Sequence, residues 1–155
     1  MHIHLIAVGT RVARWVSAGY QEYATRLPHE CALRLTEVPT AKRTRRTPID
    51  RLLAEESGRL IAAIPTGARV LALDREGHPW DTRELSAALA RWMREGHDVA
   101  LLIGGPDGLA PACITRAERR WSLSPLTLPH GLVRIVVAEQ LYRAYSLLRG
   151  HPYHR

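Results

Sequence analysis

A chain of 155 residues can bury one well-filled core but is too short to divide comfortably into two, so a single domain over residues 1–155 is expected. Its apolar runs stop well short of the roughly 20 residues a membrane span requires, which argues against a transmembrane protein. Lys and Arg together number 22 against 15 Asp and Glu, a net charge of +7, and a surplus of this kind favours a polyanionic partner.

The opening "MHIHLIAVG" has neither a basic leader region nor a small-residue cleavage site; it reads as a first strand and points to the cytoplasm. Cys31 and Cys113 are far apart and in no CxxC arrangement, so buried thiols are expected, with neither a disulfide nor a metal site. Five short Val/Ile/Leu-rich segments read as strands: "IHLIAVG", "ALRLTEV", "ARVLALD", "DVALLIGG" and "WSLSPLTL". After the first, Thr10 is placed to cap a helix with Val12, Trp15, Val16, Tyr20, Tyr23 and Leu27 on one face. The second helix starts at Thr47 and Pro48 and buries Leu52, Leu53, Leu60 and Ile61. The third opens with Asp81 and Glu84 at capping-box spacing, turns Leu85, Ala88, Leu89 and Trp92 inward, and stops at Gly96. The last runs through "GLVRIVVAEQLYRAYSLL", with Leu132, Val133, Val136, Leu141, Tyr145 and Leu148 as its inner stripe and Glu139 paired to Arg143. Near-continuous apolar strands alternating with helices predict an α/β fold with a parallel sheet covered on both faces.

In such sheets ligands bind beyond the carboxyl ends of the strands, here after Leu73, Ile103 and Leu128. "LLIGGPDGL" puts three glycines within five residues, which lets backbone approach a ligand, yet it matches neither a Walker loop nor GxGxxG. "LSPLTLPHGLVR" is mostly apolar, with His130 at the mouth of the last helix; a pocket walled by it suits an uncharged ring such as adenine, not a triphosphate. The run "AKRTRRT" carries Lys42, Arg43, Arg45 and Arg46, able either to sit in solvent or to track a nucleic-acid backbone. The terminus "GHPYHR" unites Tyr153, His154 and Arg155: a stacking surface, a titratable group and a fixed charge, the equipment for gripping a base and moving its proton.

Taken together, "HLIAVGT", "LALDREGHPWDTREL", "LLIGGPDGLAP" and the stretch from "WSLSPLTLPH" to the terminal "HPYHR" resemble the RlmH family of ribosomal RNA methyltransferases, small members of the SPOUT class. The likeness runs end to end. It implies S-adenosylmethionine-dependent methylation of N3 of a pseudouridine in 23S rRNA, on assembled ribosomes, by a metal-independent homodimer whose active site is completed near the subunit interface. It also implies a C-terminal trefoil knot in which the cofactor lies folded. Carried over by residue, the cofactor pocket takes Leu73, Gly104, Gly105 and the segment Leu123, Ser124, Pro125, Leu126, Thr127 and Leu128. The catalytic residues are expected to be His130, Arg143, Tyr153, His154 and Arg155. A non-catalytic RNA-binding protein, or a methyltransferase acting on transfer RNA, are the alternatives that cofactor binding and substrate competition separate.

Overall fold

The computed structural model describes residues 1–155. Five strands, β1 (Ile3–Val8), β2 (Leu33–Val38), β3 (Arg69–Pro79), β4 (Val99–Ile103) and β5 (Arg119–Ser122), form one parallel sheet in the order β2-β1-β4-β3-β5. The helices are α1 (Arg14–Ala24), α2 (Ile49–Ala62), α3 (Thr82–Glu95), α4 (Pro111–Arg116) and α5 (His130–Leu148). Strand side chains alternate between the two faces. Ile3, Leu5, Ala7, Val99, Leu101 and Ile103 therefore pack with Tyr20 of α1, Leu89 and Trp92 of α3 and Leu141 of α5. Ile6, Val8, Ala100 and Leu102 face the other way, onto Leu60 of α2 and Cys113 of α4. All five residues of β4 are buried, as its unbroken apolar run requires. No helix is long and apolar enough to cross a membrane.

The α3 boundaries follow the expected chemistry. Asp81 Oδ1 accepts from the Glu84 amide and Glu84 Oε2 accepts from the Asp81 amide, each at 2.8 Å, and Gly96 closes the helix at φ +74°. Helices α1 and α5 meet through two glycines: a Cβ on Gly19 would lie 2.8 Å from Ile135 Cδ1, and one on Gly131 2.9 Å from Val16 Cγ2. Each glycine makes room for the partner's branched side chain, and the two axes come close.

Four local expectations are corrected. Strand β5 ends at Ser122; residues 123–129 leave the sheet, since Ser122 Oγ donates to the Ser124 carbonyl and Ser124 Oγ takes the Leu126 amide in a turn around Pro125. Helix α1 begins beyond Ala13 rather than at Thr10, and Trp15, rotated off the face of Val16, Tyr20 and Ala24, is 59% exposed. Pro48 occupies the cap of α2, and Glu56 and Ser57 are buried where Leu53 and Ile61 are only half-covered. In α5 the inward stripe is Arg134, Val137, Ala138, Leu141 and Ala144, while Leu132 and Leu148 face out. An apolar helix read without its neighbours offers two plausible stripes, and the close approach of α1 selects this one. The short helix α4 had no counterpart in the sequence reading.

Replacing Asp81 with Ala removes the cap on the Glu84 amide and should cost about 1 kcal/mol of stability. The check is a lower denaturation midpoint with an unchanged m-value; a midpoint equal to that of the wild type would show the cap to be idle.

Candidate active site

The carboxyl ends of β3, β4 and β5 and the start of α5 surround a cavity of about 680 Å³. Its floor is the glycine turn after β4. The Gly108 amide donates to the Gly105 carbonyl at 3.0 Å, and a Cβ on Gly104 would stand 2.3 Å from the Gly108 carbonyl oxygen. That clash is with backbone, so a larger residue fits position 104 only if the turn opens. Gly108, at φ +81°, completes the turn. The opposite wall is the 123–129 loop, steadied by Arg75 Nη1 donating to Thr127 Oγ1 at 3.0 Å and exposing Leu126 at its tip.

His130 joins the two walls. An arginine only donates, so the 3.1 Å contact from Arg134 Nη2 makes His130 Nε2 an acceptor; Nδ1 then carries the proton and donates to the Gly104 carbonyl, also at 3.1 Å. Burial, with the Arg134 charge beside it, holds the imidazole below its ordinary pKa of 6.5, in agreement with a neutral ring. Arg134 itself is 1% exposed; it donates to the Gly9 carbonyl at 2.7 Å and lies 3.2 Å from Glu37 Oε1. A guanidinium so deeply buried is tolerable because carbonyls and a carboxylate surround it.

The structure brings together most of the expected cofactor residues. Leu73, Gly104 and Gly105 line the cavity on one side, Leu123, Ser124, Leu126, Thr127 and Leu128 on the other, with His130 between them; Pro125 stands in the same loop but off the lining. Asp74, Arg75 and Asp107 also line it, and Arg134 braces it from below; none was singled out beforehand. The signal for Arg134 was present, as the one charge in the run "HGLVRIVVA".

The tail is elsewhere. Helix α5 is 19 residues long and, at 1.5 Å per residue, carries the chain about 28 Å away from the cavity. There the Tyr153 ring packs at a tilt against Tyr142, the centroids 4.7 Å apart, and its hydroxyl donates to Glu139 Oε1 at 3.2 Å. Arg143 donates to the same carboxylate from Nε at 2.8 Å and lies 5.0 Å over the Tyr153 ring. Burial and the Glu139 charge push the Tyr153 phenol up to about 12, so it remains a donor. His154 Nδ1 donates to the His151 carbonyl, and Arg155 is exposed at the end. The basic segment lies beside the glycine turn: Lys42, Arg43, Arg45 and Arg46 are all exposed, and Arg43 pairs with Asp107. Nowhere do three or more His, Cys, Asp or Glu side chains gather in a way that could hold a metal ion.

A family model described as "Predicted SPOUT methyltransferase" matches residues 1–154. The chain belongs to the SPOUT methyltransferase family. Relatives of this SPOUT methyltransferase include the ribosomal RNA large subunit methyltransferase H of Methylococcus capsulatus, 57% identical over the whole of both chains. The protein of that name from Thioalkalivibrio sulfidiphilus is 56% identical over all of this chain and 99% of its own. Among solved structures, a probable methylase family protein from Haemophilus influenzae aligns over 99% of this chain and 70% of its own, with a TM-score of 0.58 at 12% identity. A probable methyltransferase from Bordetella pertussis aligns over 92% and 93%, with a TM-score of 0.54 at 20% identity. At that identity the likeness is one of fold.

Gly104→Ala should leave the far-ultraviolet dichroism native but weaken binding of S-adenosyl ligands more than tenfold by calorimetry, because the turn must open to admit the methyl group. Wild-type affinity in this variant would show that the turn does not shape the cavity. The depressed His130 pKa also has a sign. The neutral ring contributes stability that is complete above the unfolded value of about 6.5 and declines as pH falls below it. The stability difference between wild type and His130→Gln should therefore shrink on acidification below that value, and a pH-independent difference would contradict the clasp.

Proposed function

We infer that this SPOUT methyltransferase transfers the methyl group of S-adenosylmethionine to N3 of a pseudouridine in 23S rRNA, working as a homodimer on assembled ribosomes in the cytoplasm and without a metal. The observation that carries the reading is identity of 54–57% with the ribosomal RNA large subunit methyltransferases H over the full chain. The cavity fits the cofactor. Leucines and backbone groups of the 123–129 loop and the glycine turn suit a nucleoside, and the volume of about 680 Å³ is ample for one. Family membership also supports a trefoil knot, with the His130 to Gly104 bond as the clasp on the threaded segment.

S-adenosylmethionine, when bound, supplies an electrophilic methyl group on a sulfonium sulfur. The chain's residues hold and prepare the acceptor. The pseudouridine N3 must lose its proton before it can attack. With Nδ1 committed to the His151 carbonyl, His154 keeps Nε2 as a free basic lone pair to accept that proton. Arg155 offsets the charge that develops on the imide, and Tyr153 stacks against the base. Both nitrogens of His130 are engaged, so it positions the glycine turn; Arg143, held by Glu139, positions the tail. Lys42, Arg43, Arg45 and Arg46 face the rRNA backbone.

The distance between the tail and its own cavity supports a shared site, in which the tail of one protomer closes the cavity of the other. The outward α5 residues Leu132 and Val136 and the exposed Trp15 offer an apolar surface on which such a dimer could form.

Methyl transfer from labelled S-adenosylmethionine to ribosomes from a strain lacking this modification tests both claims. Gly104→Ala protein and protein ending at Gly150 should each be nearly inactive. Co-expressed, they should recover about a quarter of wild-type turnover, because half of randomly assembled dimers carry one intact cavity facing one intact tail. No recovery would place both halves of the site in one protomer, and no labelling by the wild type would overturn the activity itself.

A further inference from the structure

Helix α2 ties two loops of different character to one frame. Glu56, 2% exposed, accepts the Ala41 amide through Oε1 at 3.0 Å, while Oε2 has no partner and lies 3.0 Å from where a Cβ on Gly105 would stand. Ser57 Oγ takes the Ala110 amide at 3.3 Å at the far end of the glycine turn. Arg59 donates to the carbonyls of Pro39 and Thr40 at 2.7 and 2.9 Å, anchoring the root of the basic segment. A buried carboxylate thus sits at the joint between the cationic segment and the cavity floor. On the solvent side the same two loops are linked by the Arg43 to Asp107 ion pair, and Asp107 is part of the cavity wall. Lys42, Arg45 and Arg46 have no acidic group within salt-bridge distance, so Asp107 restrains Arg43 alone among the four.

We propose that Asp107 exchanges cations: it holds Arg43 when the cavity has no cofactor, turns to the cationic sulfonium and ammonium end of the cofactor when one binds, and so releases Arg43 to an RNA phosphate. The exchange rests on the functional reading above, which puts a cofactor in the cavity and RNA on the basic segment. Either ligand alone breaks the pair and leaves one of its members uncompensated. Both together replace one ion pair with two, so each ligand strengthens the binding of the other by the same factor. The pair is partly exposed, with side-chain exposures of 44% for Arg43 and 24% for Asp107, which limits that factor to about two- to fivefold.

Calorimetry of S-adenosylmethionine with the full-length protein, without RNA, is the first test. Arg43→Ala frees Asp107 and should tighten cofactor binding about two- to fivefold, whereas Arg45→Ala should not change it. Equal affinity in wild type, Arg43→Ala and Arg45→Ala overturns the exchange. In the second test, ribosome binding by the wild type should tighten by a similar factor with saturating cofactor, and the increment should vanish in Asp107→Asn. An increment that persists in Asp107→Asn overturns the exchange while leaving the methyltransferase reading intact; failure of the wild type to bind cofactor or ribosomes removes both.

Discussion

A neutral imidazole, kept neutral by its surroundings, joins the parts of this protein on which the site depends. His130 belongs to the first turn of α5 and donates to the Gly104 carbonyl just past β4, while Arg134, one turn further on, fixes its tautomer and reaches back to the Gly9 carbonyl after β1. Three chain segments far apart in sequence thereby converge beyond the carboxyl ends of adjacent strands. Protonation of the ring would break the contact with Arg134 and place two positive charges side by side. The buried guanidinium thus acts as the second half of the clasp, with Glu37 offsetting its charge.

The glycine turn depends on that clasp and adds a constraint of its own. Because the Gly104 Cα lies against the Gly108 carbonyl, the turn is nearly closed on itself and presents backbone rather than side chains to the cavity. On the other side of the cavity the 123–129 loop contributes leucines and a turn built on Ser124. An apolar, backbone-rich enclosure with few charges suits a nucleoside, to which it offers shape and amide and carbonyl groups. Helix α2 completes it from behind, where Glu56 and Ser57 brace the turn and the root of the basic segment together.

Helix α5 serves two ends that never meet within one chain. Its first turn builds the cavity, its last turn carries the aromatic and basic tail, and the inward stripe between them is spent on α1 and α3. Glycines at 19 and 131 let α1 approach closely enough to cover that stripe, which leaves Leu132 exposed and Val136 half-covered on α5 and Trp15 exposed on α1. The reading of a shared site in a dimer follows from this division of the helix.

Much of this was legible in the residues. Parallel α/β architecture followed from uninterrupted apolar strands separated by amphipathic helices, the limits of α3 from Asp81, Glu84 and Gly96, and the segments that line the cavity from glycine and leucine clusters at strand ends. The resemblance carried by the terminal "HPYHR" and the two loops named the family. What stayed hidden was every feature that depends on which surfaces meet. The sequence could not say which stripe of α5 turns inward, because the helix is apolar on more than one face and only α1 and α3 decide. Nor could it show that Trp15 is exposed, that β5 ends at Ser122, or that Arg134 is buried, since each depends on a neighbour more than a hundred residues away or on a turn formed under packing. The sequence by itself determined the five strands and four of the five helices, their order and the chemical groups available, because these rest on short-range periodicity and capping. Only the tertiary structure decided that His130 is a clasp, that Asp107 faces Arg43, and that the tail lies a helix length from its own cavity, because those relations are set by packing between distant segments.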